Sequence, residues 1–167
     1  MIKGNCLSFT PHQIDLMRKA GRLTAMARAY AGTLIQPGIT TRDIDHEVEK
    51  FIKKHGGYPS FYHLYGFKGA CCISVNDEII HGVPGGYKLK EGDIVSVDVG
   101  ACIGDYHLVR NKCVTGGYHG DCCGTFACGE ISPEAKRLIE VTEQSFWKGF
   151  EQARPGNRVY DISRAVQ

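Results

Sequence analysis

Three side chains in this 167-residue sequence are placed where chemistry could be done: Asp98, Asp121 and His81. Asp98 lies in Ile94-Val95-Ser96-Val97-Asp98-Val99, an alternating run. Val95, Val97 and Val99 share one face of a strand there, and Ile94, Ser96 and Asp98 share the other. A mid-strand carboxylate is costly to bury unless it is paired, hydrogen-bonded or bound to a cation. The plain alternative is a partly exposed Asp on an open sheet face. Asp121 lies in Gly117-Tyr118-His119-Gly120-Asp121-Cys122, which reads as a hairpin turn or the strand returning from it. Carboxylates facing each other across an antiparallel pair repel unless a cation sits between them, so this pair is a seed for a divalent metal site. His81 sits in a Gly/Pro loop, before Gly82-Val83-Pro84. It is either a solvated loop residue or, beside a metal, a group that binds a substrate carbonyl or moves a proton.

The elements that must hold these residues can be read from capping and periodicity. Thr10 caps a long helix over 11–34, with Pro11 in its first turn and Leu16, Leu23, Ala27 and Tyr30 at helical spacing. Gln36-Pro37-Gly38 breaks it. A second helix follows from about Thr41 to His55, with Ile44, Val48, Phe51 and Ile52 as its apolar stripe. Residues 71–75 read as a strand, 81–86 as a loop, 94–99 as the strongest strand, and a further strand signal lies near 123–128. Ser132 caps a third helix, whose buried side is expected at Leu138, Ile139, Thr142, Phe146 and Phe150. A last helix begins near Asp161.

An internal repeat runs through this order. Helix, Gln36-Pro37-Gly38 and Asp43-Ile44 recur as helix, Arg154-Pro155-Gly156 and Asp161-Ile162, and each long helix opens on a Ser/Thr-Pro pair. The expectation is a single domain over 1–167, with a first repeat unit at 11–132 and the start of a second at 133–167.

Composition narrows the class. Apolar residues are 43% and charged residues 23%, which excludes a disordered chain or a coiled coil. Fully apolar runs are too short to span a bilayer, no export signal precedes Pro11, and a net charge of +2 argues against nucleic acid or an anionic membrane. The eight cysteines are expected as free thiols of a cytoplasmic protein. A weaker alternative is a zinc site drawn from Cys102, His107, Cys113, His119, Cys122, Cys123 and Cys128, which lack a C-x-x-C knuckle.

Three stretches together resemble bacterial type I methionine aminopeptidases: Ser74-Val75-Asn76-Asp77-Glu78-Ile79-Ile80-His81-Gly82-Val83-Pro84, Leu89 to Gly100, and Gly117-Tyr118-His119-Gly120-Asp121. The helices agree, at Asp15 to Arg22, Pro37 to Thr41 and Ile131 to Ala135. The resemblance implies an α+β, pita-bread fold of two pseudo-symmetric halves around a dinuclear metal site. It implies removal of the initiator Met from nascent chains, with divalent ions (cobalt, manganese, iron or zinc, two per site) and the ribosome as a partner. By resemblance, Asp98 and Asp121 are two of five metal-binding side chains, His81 contacts substrate near the scissile bond, and Cys72 and Phe67 line the methionine side-chain pocket.

The sequence departs from that family in three ways. The family's remaining ligands, one His and two Glu, and a second active-site His belong to a C-terminal half that is not in these residues. The expectation is an impaired enzyme, a non-catalytic module that binds a nascent chain, the ribosome or a partner, or a non-functional gene fragment, with an exposed half-fold prone to self-association. Next, 22 residues separate Asp98 from Asp121, where the family keeps about ten. Gly104-Asp105-Tyr106-His107 recurs twelve residues later as Gly116-Gly117-Tyr118-His119, so two hairpin registers compete, one placing Val109 and the other Asp121 at the metal position. Finally, the family's Gly-Tyr is His63-Leu64 here. Either an aromatic wall of the pocket is lost or Tyr65 replaces it.

Overall fold

The computed structural model describes residues 8–109 and 113–167. Helix α1 spans Pro11–Leu34 and α2 spans Thr41–Lys54. Strands follow as β1 (Tyr58–Pro59), β2 (Cys71–Val75), β3 (Ile94–Val109) and β4 (Cys113–Ala127), then α3 (Pro133–Glu151) and α4 (Val159–Val166). Both first helices start on reciprocal caps. Gln13 N donates to Thr10 Oγ1 while Thr10 N donates to Gln13 Oε1, and Thr40 and Asp43 repeat the arrangement on α2.

The sheet is antiparallel and centred on β3. β4 runs along one edge, while β2 and the short β1 pair with successive parts of the other. Val95, Val97 and Val99 are fully buried and share a core with Leu23, Ala27 and Ala31 of α1 and Ile44, Val48 and Ile52 of α2. Small residues let α1 approach closely. A Cβ on Gly120 would lie 2.4 Å from Thr24 Oγ1, and one on Gly32 would lie 2.3 Å from the Phe126 ring. The opposite sheet face, carrying Ser96 and Asp98, is only half-buried.

β3 and β4 are longer than the sequence pattern suggests, because the twelve-residue duplication becomes a longer hairpin. Pairing runs from Ile94↔Ala127 to Ile103↔Tyr118, then resumes at Tyr106↔Gly116. Gly104 and Asp105 there oppose Gly117 alone, a bulge made possible by Gly104 at φ +81° and Gly117 at φ +73°. Beyond it, Val114 packs with Tyr58 and Cys102 as a second small core flanked by Tyr62 and Tyr106.

The chain divides into two compact units, the first ending at Gly129 and the second running Glu130–Gln167. The second is the helix pair α3–α4, in close contact where a Cβ on Gly149 would meet Val166 at 2.6 Å. Thr142 Oγ1 donates to Leu138 O at 2.7 Å, as Thr24 Oγ1 donates to Ala20 O at 2.9 Å in α1. These pairs are 118 residues apart, the same offset as Pro37 and Pro155. The expected buried side of α3 is not observed. Leu138, Phe146 and Phe150 are 58%, 60% and 61% exposed, Thr142 is exposed, and Ile139 is half-buried. In α1 the equivalent face meets a sheet; among the described residues of the second unit there is none.

Candidate active site

His81 is fixed by the glycine that follows it. Gly82 N donates to Ser74 Oγ, and Ile73 N donates to Gly82 O, each at 3.0 Å. A Cβ on Gly82 would sit 2.2 Å from Ile73 O, so the loop lies against β2 only because residue 82 has no side chain. This docks an exposed His81, itself left-handed at φ +57°, beside the sheet face that carries Asp98.

Asp98 pairs with Cys72 on β2 and with Cys123 on β4, and Asp121 pairs with Gly100. Asp98 and Asp121 are therefore diagonal neighbours on one sheet face, within reach of each other. The Asp121 charge acts directly on Asp98. Of the two competing registers, the structure has the one that aligns Asp121, and Val109 pairs far off with Cys113. Gly100, opposite Asp121, leaves the space that the Phe61 ring fills; a Cβ there would lie 2.6 Å from it.

These side chains line one cleft of about 580 Å³, with Phe61, Leu64, Tyr65, Gly66, Phe67 and Cys72 on its apolar side and His81, Asp98 and Asp121 on its polar side. Burial, followed by the Asp121 charge, raises the pKa of Asp98; His81 acts in the opposite direction. Burial, followed by the charges of Asp98 and Asp121, pushes the Cys72 thiol up to about 12, so it is a neutral apolar wall at physiological pH. Two adjacent carboxylates, with Asp98 destabilised by burial and by its neighbour's charge, are a donor pair that a hard divalent ion would relieve. The residues present fit such an ion as a partial set.

All five residues singled out from the sequence thus line one cleft. Phe61 was not singled out for it, and Leu64 only as the place where the family's aromatic is absent. The signal for Phe61 was Gly100, a glycine within β3 that leaves room for an aromatic ring. Tyr65 lines the mouth of the cleft and is 102% exposed there, so it stands at the rim and not in the enclosed part of the apolar wall. The zinc alternative does not hold among the described residues, where no three Cys, His, Asp or Glu side chains gather to hold an ion. Cys102 is buried in the second small core, and Cys122 and Cys123 point to opposite sheet faces. Cys71, Cys72, Cys102, Cys122, Cys123 and Cys128 are free thiols. Cys6 and the side chain of Cys113 lie outside the described residues. No described helix is long and apolar enough to cross a membrane.

The sequence and fold are shared with known proteins. Residues 15–167 match the model of metallopeptidase family M24. The chain is 44% identical over 158 residues to methionine aminopeptidase 1 of Bacillus subtilis, covering 95% of this chain and 59% of that protein. It is 47% identical over 156 residues to a methionine aminopeptidase of Clostridium perfringens, covering 93% and 58%. The crystal structure of methionine aminopeptidase from Rickettsia prowazekii superposes with a TM-score of 0.86 at 31% identity, over 95% of this chain and 59% of that one. The chain thus spans under three-fifths of the length of these relatives, and its helices and antiparallel sheet form the N-terminal portion of a pita-bread fold. On the match over 15–167 and this fold, the chain belongs to metallopeptidase family M24.

Proposed function

We propose that the cleft is the N-terminal part of a methionine aminopeptidase site, acting in metal-dependent removal of the initiator Met from nascent chains in the cytoplasm. The observation that carries this reading is the diagonal pair Asp98 and Asp121 facing the apolar side of the same cleft. Asp98 and Asp121 would hold a divalent ion, with cobalt, manganese, iron and zinc as candidates and two ions per complete site. Such an ion, when bound, lowers the pKa of a water and polarises the peptide carbonyl. The chain's own residues do the rest. Phe67, Phe61 and the neutral Cys72 take the apolar side chain of the first residue and exclude water from it. His81, held by Gly82 against β2, donates a hydrogen bond near the scissile amide. In this reading 11–132 is the first repeat of one aminopeptidase domain and 133–167 opens the second.

A second reading is favoured by the donor count. Two carboxylates, with no third Cys, His, Asp or Glu gathered beside them among the described residues, make an open cation site. On that reading the chain binds an N-terminal Met peptide, or a nascent chain at the ribosome, without cleaving it. Both readings are tested by release of methionine from a Met-Ala-Ser peptide with manganese, cobalt, iron or zinc. Turnover that disappears in Asp98→Asn supports the enzyme. Peptide binding without turnover under any metal supports the binding module.

A further inference from the structure

The pocket loop carries an aromatic side chain that the fold does not use. Residues 61–67 form a tight turn closed by four backbone bonds. His63 N donates to Phe67 O, Leu64 N to Phe61 O, Gly66 N to His63 O and Phe67 N to Leu64 O, at 2.9 to 3.3 Å. The turn requires left-handed backbone at His63 (φ +62°), Tyr65 (φ +48°) and Gly66 (φ +86°). Non-glycine residues adopt this conformation rarely. A glycine at 65 would suit the turn better, and the tyrosine gains nothing from burial, since it is 102% exposed. Yet Tyr65 lines the cleft that holds His81 and Asp98. Strained residues of this kind persist where the surroundings over-determine them, and they cluster at ligand clamps.

We infer that Tyr65 is a substrate-clamping residue, its ring stacking on the peptide beyond the first residue as the chain leaves the cleft. This rests on the reading of the cleft as a site for an N-terminal Met peptide. The location of the contact follows from exposure. Phe61, Phe67 and Cys72 are half-buried or buried and make the enclosed floor for the first side chain. A ring wholly in solvent at the rim is outside that floor. What it can cover is the part of the ligand still exposed at the mouth, the second and third residues. A flat aromatic face suits an extended backbone with small side chains, and the phenol remains free to bond a peptide carbonyl or water.

The test compares two ligands on the full chain by 15N NMR titration in zinc-supplemented buffer. Methioninamide fills only the first position; Met-Ala-Ser extends past the mouth. Tyr65→Ala is expected to weaken Met-Ala-Ser by roughly three- to tenfold, leaving methioninamide within about twofold of wild type. Tyr65→Phe, which keeps the ring, is expected to restore tripeptide binding. Equal weakening of both ligands by Tyr65→Ala, or no effect on either, overturns the clamp while leaving the cleft reading intact. Wild-type protein that binds neither ligand overturns the cleft reading and the clamp with it.

Discussion

Asp121 lies directly across from Gly100, one diagonal step from Asp98, so the two carboxyl groups sit together on the open face of the sheet. Burial and then the Asp121 charge raise the pKa of Asp98, and a divalent cation between the two carboxylates would relieve that repulsion. The expected outcome is that manganese or zinc raises the melting temperature of the wild-type chain. At ten times the dissociation constant the gain is about 1.4 kcal/mol, or roughly 3–6 °C for a chain of this size. Asp98→Asn and Asp121→Asn should each abolish the shift. A shift that survives both substitutions places the ion elsewhere.

Asp45 offers a separate pH signature, away from the cleft. Its carboxylate accepts from Ala70 N at 2.7 Å and Cys71 N at 3.0 Å, tying α2 to the start of β2. Burial nevertheless dominates and raises its pKa above the ordinary 3.8. The folded state therefore holds this proton more tightly than the unfolded chain. The group's contribution is largest below 3.8 and is lost as pH rises through the folded value. Urea midpoints of wild type relative to Asp45→Asn should fall with rising pH across that window; a difference that grows with pH contradicts the assignment. Asp45→Ala, which strands two backbone donors, should cost roughly 2 kcal/mol.

What the sequence made legible follows from how local each signal was. Helix starts were written in Thr10-Pro11 and Ser132-Pro133, and the faces of β3 in the alternation around Val97, because capping and pleat are set within a few residues. The cleft residues were legible through motifs: His81 beside Gly82, Asp98 between valines. The choice of hairpin register was not, since the two Gly-x-Tyr-His copies offer the same local pairing. The choice fell to packing, where Gly120 admits Thr24 and Val114 reaches Tyr58. The side of α3 misled for a related reason. Periodicity marks which residues are apolar, and burial depends on a neighbouring surface that periodicity does not contain.

That exposed side has a consequence in solution. Leu138, Val141, Phe146 and Phe150 are each more than half exposed, and the Phe146, Trp147 and Phe150 rings meet one another in edge and stacked contacts on α3. Apolar area of this kind drives association. Light scattering of the 167-residue chain should show a mass that rises with concentration. Replacing Phe146 and Phe150 with Glu should lower it toward the monomer without changing the metal response of Asp98 and Asp121. A monodisperse wild-type monomer across the same range would remove this expectation.

The duplicated hairpin segment is separable from the carboxylate pair. Ile103 pairs with Tyr118 before the bulge, so deleting residues 105–116 would join Gly104 to Gly117 as a two-residue Gly-Gly turn between those partners. The deletion leaves ten residues between the two aspartates and keeps Asp121 opposite Gly100. It removes Tyr106 and Val114 from the small core around Tyr58 and Cys102, which should cost about 2–4 kcal/mol by loss of buried side chains. The prediction is a less stable protein whose metal-induced melting shift matches that of the full chain in size and in its dependence on Asp98. Loss of the shift in a folded deletion variant would mean that the longer hairpin itself aims Asp121, and that the bulge at Gly104 is part of the site.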